Sequence, residues 1–202
     1  VHQLRLLNSQ GFRTAVLCVG YLGEMIEATI GDGKQLGLQI GYSFDGPTLL
    51  GTGGALKRAI SKLGEYFLVI YGDSYMPIDY GAVVDAFVRS EKPALMTVFE
   101  NEGRWDASNV RFEAKEIQRY DKKARTADMR HIDYGISVLT SRVFAGFPDN
   151  APFDLADLYS RLVSERKMAA YEVKHRFYEI GSAEGRAELD ALLRNNAVSV
   201  PK

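Results

Sequence analysis

The sequence predicts an α/β fold in which a mainly parallel sheet is flanked by helices. Three observations predict it. Short apolar runs over residues 14–19, 66–71 and 94–99 read as strands, the first of them as one buried on both faces. Segments with apolar residues at helical spacing lie between these runs. Glycine and aspartate stand where the strands end, at Gly20, Asp45-Gly46 and Gly72-Asp73. Such alternation argues for right-handed βαβ crossovers, and ligands of such sheets bind beyond the carboxyl ends of the strands.

The elements follow in order. Leu4, Leu6 and Leu7 form one apolar face before the stop at Gly11. Residues 14–19 are the first strand. Residues 22–30 carry Leu22, Met25, Ile26 and Thr29 on one side and end at Gly31-Asp32-Gly33. Residues 38–44 alternate as a strand, and residues 53–63 are a helix with Ala55, Leu56, Ala59, Ile60 and Leu63 aligned. A strand over 66–71, a helix over 80–89 and a strand over 94–99 complete a β-α-β-α-β-α-β series of Rossmann-like character. The second half reads as two short strands over 109–112 and 116–120, a charged loop over 121–130 and a strand over 132–139. A helix over 154–166 follows, capped by Asp154. Strands over 169–173 and 177–180 precede a last helix, capped by Ser182 and running to about Asn195.

Bulk chemistry narrows the function. With 202 residues, 46 % of them apolar and 25 % charged, the chain has the size and balance of one globular domain. A formal net charge of −1 gives no field to attract nucleic acid or an anionic membrane. No apolar stretch reaches the roughly 18 residues of a spanning helix, and no signal peptide is visible. The single cysteine, Cys18, fits a reducing, cytoplasmic setting and is read as a buried small hydrophobe. His2, His131 and His175 show no metal-ligand spacing. The oligomeric state is open. The chain lacks an initial Met and its first ten residues already read as the interior of a helix, so residues 1–202 are expected to be a single domain that is incomplete at its N-terminus.

Three segments carry candidate chemistry. Leu50-Gly51-Thr52-Gly53-Gly54-Ala55 places three glycines before a helix, which lets the backbone approach a ligand and offers N–H groups to an anion or to the edge of a base. A glycine turn between a loop and a helix is as often structural. Gly72-Asp73-Ser74 puts a carboxylate at a strand tip, where a hard cation such as Mg²⁺ finds its preferred oxygen ligands. Tyr178-Glu179-Ile180-Gly181-Ser182 repeats that order of strand, carboxylate, glycine and helix start. Asp73 and Glu179 are therefore expected to converge on one metal ion.

As a set, in order and spacing, these motifs resemble the sugar-phosphate nucleotidylyltransferases, and the resemblance covers nearly the whole chain. It implies the fold of nucleotide-diphospho-sugar transferases. It also implies transfer of a nucleoside monophosphate from an NTP to a sugar 1-phosphate, with pyrophosphate leaving, on the mannose-, heptose- or amino-sugar branch. Gly51, Thr52, Gly53 and Gly54 would seat the base, while Asp73 and Glu179 would be the catalytic metal ligands. Asn109, Lys122 or Lys123, Asp133 and Gly135 would meet the sugar phosphate. The family's glycine-rich loop with an Arg, followed by Pro-Lys, is not found in this chain, and Glu179 stands where Asp is commoner. A non-catalytic module that senses a nucleotide or nucleotide sugar is the alternative. The closely spaced acidic pair of a glycosyltransferase is missing at Asp73-Ser74-Tyr75.

Overall fold

A computed structural model describes residues 1–194, so the expected last residue of the final helix, Asn195, lies outside the described residues. The chain forms two compact units. The first comprises Val1–Phe67 and Thr140–Arg161; the second comprises, of the described residues, Leu68–Leu139 and those from Leu162 to Arg194.

In the first unit α1 (His2–Ser9) precedes β1 (Thr14–Val19), α2 (Gly23–Ile30), β2 (Gln39–Phe44) and α3 (Gly51–Ala59). β1 and β2 pair in parallel as a two-stranded sheet, from Thr14 opposite Gln39 to Val19 opposite Phe44. Leu4, Leu38 and Ile40 form a small core there, joined by Leu7, Leu17 and Ile30. Two expectations change. β1 is not buried on both faces: only Val19 of its six residues is buried. Cys18 is correspondingly exposed. Its thiol, close to the carbonyl of Ala55, is pushed up to about 11, chiefly by local desolvation and then by the charge of Asp45, so it stays protonated at neutral pH.

The second unit holds a mixed sheet. Its strands are β5 (Ala94–Glu100), β6 (Val110–Glu113), β7 (Glu116–Tyr120), β8 (His131–Thr140) and β9 (Met168–Val173), in the order β7-β6-β8-β5-β9. β3 (Tyr66–Ile70) also pairs with β8. β5 runs parallel to β9 and antiparallel to β8, and residues 94–98 are buried throughout, as a central strand requires. α4 (Tyr80–Ser90) buries Tyr80, Val83 and Phe87 on one face, and its first turn is capped by Asp79, which accepts from the Ala82 N–H at 3.0 Å.

α5 (Leu155–Ser164) is capped by Asp154 through the Ala156 N–H at 2.9 Å, and α6 (Ala183–Arg194) by Ser182 through the Gly185 N–H at 2.9 Å. Two strands of two residues each, β4 (Ser74–Tyr75) and β10 (Tyr178–Glu179), pair antiparallel as a separate ladder. β4 is too short for any periodicity to announce. Among the described residues, no helix is long and apolar enough to cross a membrane.

Candidate active site

The small ladder decides where the acidic residues lie. Glu179 sits opposite Ser74, and the Ile180 N–H donates to the Asp73 carbonyl at 2.9 Å. Asp73 and Glu179 are therefore neighbours in the second unit, beside the start of α6. Asp73 is exposed, and one of its oxygens accepts from the Ser74 hydroxyl at 3.2 Å.

Glu179 is folded back onto the helix start. Its carboxylate accepts from the Gly181 N–H, from the Ser182 N–H at 3.1 Å and from the Ser182 hydroxyl at 2.6 Å. The Ser182 hydroxyl bond is the main cause holding its carboxyl below the usual carboxylate range; desolvation opposes it, and the Gly181 and Ser182 N–H groups add to it. Gly185 makes room for this fold. A Cβ there would stand 2.1 Å from Glu179 Oε1 and 2.5 Å from its carbonyl oxygen.

The donor set fits Mg²⁺. That ion takes one or two protein carboxylates and completes its shell with water and phosphate oxygens. No group of three or more His, Cys, Asp or Glu able to hold a metal occurs among the described residues. Glu179 keeps lone pairs beyond the three bonds it accepts.

The sugar-side candidates also gather in the second unit. Asn109 is buried, and its Oδ1 accepts from the Asp133 N–H at 2.9 Å, so this oxygen is used to hold β8. Asp133 Oδ1 accepts from the Gly135 N–H at 3.0 Å. Desolvation pushes the Asp133 carboxyl up to about 6; the Gly135 N–H, the charge of Lys122 and the Tyr120 hydroxyl oppose the rise. Both lysines are exposed; the Lys122 ammonium lies 5.9 Å from the centre of the Tyr71 ring, whereas Lys123 gives its backbone N–H to Asp121. Of the two lysines, Lys122 is thus the one that senses Asp133. Gly135 has φ +99°, and a Cβ there would meet the Met76 sulfur at 3.2 Å.

The glycine turn lies in the first unit, and part of the expectation for it changes. Gly53 and Gly54 are buried, and both N–H groups donate to the Phe153 carbonyl, at 3.0 and 3.3 Å. A Cβ on Gly53 would fall 2.2 Å from the Phe153 ring. These two glycines admit Phe153, and their N–H groups are not open to a ligand. Thr52 ties down the same segment, donating to Asp154 at 3.1 Å and accepting from the Leu155 N–H at 2.9 Å. Gly51, with φ +68°, is exposed.

Asp45 went unassigned from sequence. It follows β2 and is 8 % exposed. Its Oδ2 accepts from the Leu50 N–H at 2.9 Å, while its buried Oδ1 has no hydrogen-bond partner among the described residues. A buried carboxyl oxygen left without a donor is costly, which marks a place where a ligand N–H is welcome. The signal in the sequence was only Asp45-Gly46 at a strand end.

The protein is thus of the α/β class, with strand-end carboxylates beside a helix start in its second unit and a glycine turn at a helix start in its first. A family profile described as Nucleotidyl transferase matches residues 1–178, and the chain belongs to that family. It is 26 % identical over 202 residues to the N-acetylmuramate alpha-1-phosphate uridylyltransferase of Caulobacter vibrioides, covering 95 % of this chain and 82 % of that one. It is 27 % identical over 179 residues to the D-glycero-alpha-D-manno-heptose 1-phosphate guanylyltransferase of Campylobacter jejuni, covering 88 % and 78 %. The fold matches the solved inositol-1-phosphate CTP transferase from T. maritima with a TM-score of 0.77 at 18 % identity, over 98 % of this chain and 83 % of that one. The motif resemblance to sugar-phosphate nucleotidylyltransferases is thereby confirmed.

Proposed function

We propose that the protein transfers a nucleoside monophosphate from an NTP to a sugar 1-phosphate of the mannose, heptose or amino-sugar kind. The observation that carries this reading is the juxtaposition of Asp73 and Glu179 by the β4–β10 ladder. The uridylyl and guanylyl relatives support the reaction class and leave the base open.

In this reading a phosphate oxygen of the sugar 1-phosphate attacks the α-phosphorus of the NTP. The bond from that phosphorus to the bridging oxygen breaks, and pyrophosphate leaves. Both reactants are anions, so charge must be cancelled and the partners aligned. Asp73 and Glu179 would hold Mg²⁺, which supplies positive charge against the reacting phosphates. Lys122 would contribute a cation to the sugar phosphate, and Asp133 an acceptor or donor to a sugar hydroxyl. Asn109 and Gly135 would fix the strand that carries Asp133. Gly51 and Thr52 would lie along the base, and Asp45 Oδ1 would accept an N–H from its edge. The role of Gly53 and Gly54 is to seat Phe153 behind that turn. The single cysteine favours a cytoplasmic setting.

The test is pyrophosphate release by the purified chain with Mg²⁺, using four NTPs against a panel of sugar 1-phosphates. Turnover with at least one pair is expected. Tight nucleotide-sugar binding by calorimetry without turnover on any pair would instead establish a sensor.

A further inference from the structure

β10 is only two residues long, and so is its partner β4. Two backbone pairs, Tyr178 with Tyr75 and Glu179 with Ser74, are too few to fix a strand by themselves. Something further must hold Glu179 beside Asp73.

Arg176 is built to do so. Its guanidinium lies 3.6 Å from the centre of the Trp105 ring and 4.6 Å from that of Tyr178. Its Nη2 pairs with Glu188 of α6 at 2.6 Å, and its Nε donates to the Phe177 carbonyl at 3.2 Å. One side chain thus joins the loop before β6, the strand that carries Glu179, and the helix α6 that follows it. The loop side is itself firm. Fully buried Asn101 accepts from the Trp105 N–H at 3.2 Å and donates to the Asp106 carbonyl. Immobilising an arginine costs rotamer entropy, which partly desolvated cation–π contacts and an ion pair offset. A solvated surface arginine would not be spread over four partners.

We propose that Arg176 is a positioning residue for Glu179, clamping β10 between the Trp105 loop and α6 so that the two acidic residues stay together. The inference rests on the reading of Asp73 and Glu179 as metal ligands, but its structural half can be measured without turnover. The Ile180 amide, which donates to Asp73, reports the ladder directly.

The experiment compares the wild-type chain with Arg176→Met and Arg176→Lys. Hydrogen exchange at Ile180 is expected to speed up at least about tenfold in Arg176→Met, with β5 amides unchanged and partial rescue in Arg176→Lys. With a substrate pair identified from wild-type turnover, the Mg²⁺ concentration for half-maximal rate should rise about tenfold in Arg176→Met, with KM for the sugar 1-phosphate little altered. Emission from Trp105, the only tryptophan, should shift as the guanidinium leaves its face. Unchanged Ile180 exchange in Arg176→Met would overturn the clamp. So would faster exchange with an unaltered Mg²⁺ requirement. Failure of the wild type to release pyrophosphate would reject the proposed reaction instead, and the exchange result would still decide the clamp.

Discussion

The carbonyl of Asp73 accepts a hydrogen bond from the N–H of Ile180 at 2.9 Å, so the acidic end of one strand is tied to the residue just after the other acidic side chain. Replacing Asp73 by Asn keeps this backbone bond and removes only the carboxylate charge. Stability should therefore change by less than about 0.5 kcal/mol, as for an ordinary surface substitution. Turnover should fall about a thousandfold, equivalent to roughly 4 kcal/mol of transition-state stabilisation. Pyrophosphate release and a thermal melt on the same preparation check both halves. Full activity in Asp73→Asn would remove the metal assignment.

Gly185 offers a sharper test of the geometry at Glu179. Alanine is favoured over glycine in a helix by about 1 kcal/mol, so propensity alone predicts a more stable protein. The added Cβ would, however, sit 2.5 Å from the carbonyl oxygen of Glu179, and a backbone atom cannot step aside without disturbing the pairing with Ser74. Overpacking of this kind costs roughly 1–3 kcal/mol. Gly185→Ala should thus lower the melting temperature and lower turnover by more than the stability loss explains. A rise in melting temperature with activity intact would show that Glu179 is not held as described.

Base choice should depend on Asp45. Its Oδ2 is committed to the Leu50 N–H and its Oδ1 is buried without a partner among the described residues. In Asp45→Asn one of these positions becomes an NH₂ donor, which would repel an N–H on the base and attract a ring nitrogen. A hydrogen bond to a charged group is worth about 1.5–3 kcal/mol, so the preferred NTP should lose roughly 10- to 100-fold in kcat/KM. NTPs whose base offers an acceptor at that point should lose less or gain. Ratios of kcat/KM over four NTPs measure it, and a uniform loss across all four would assign Asp45 to folding alone.

Much of the fold was legible because sequence patterns and capping residues mark where elements begin and end. β1 and β7 begin and end where the apolar patterns do, and Asp154 and Ser182 cap the helices they precede. Legibility failed where a partner distant in the chain decides the outcome. Gly53 and Gly54 read as an open turn, because nothing nearby in sequence tells of Phe153 filling it. β4 has two residues and takes its strand character from β10 alone. Lys122 and Lys123 are equivalent in sequence, and only the tertiary placement of Tyr71 and Asp133 separates them. The acidic pair was legible as two strand-end motifs. The folding back of Glu179 onto Gly181 and Ser182, and the arginine that braces its strand, were not.

The pH dependence of stability should carry the signature of Asp133. Its carboxyl is raised to about 6 in the folded chain, against about 3.9 unfolded. A raised carboxyl means that the folded state binds more protons between these values, so this group lowers stability progressively as pH climbs from about 4 to about 6. Above that range the cost is complete; below it the cost vanishes. Asp133→Asn removes the charge and can still accept from the Gly135 N–H. The variant should therefore match the wild type near pH 4 and exceed it by on the order of 1–2 kcal/mol at pH 7.5. Urea unfolding at the two pH values measures the difference. An offset of equal size at both would mean that Asp133 ionises as an ordinary surface aspartate, and the desolvated environment described for it would have to be abandoned.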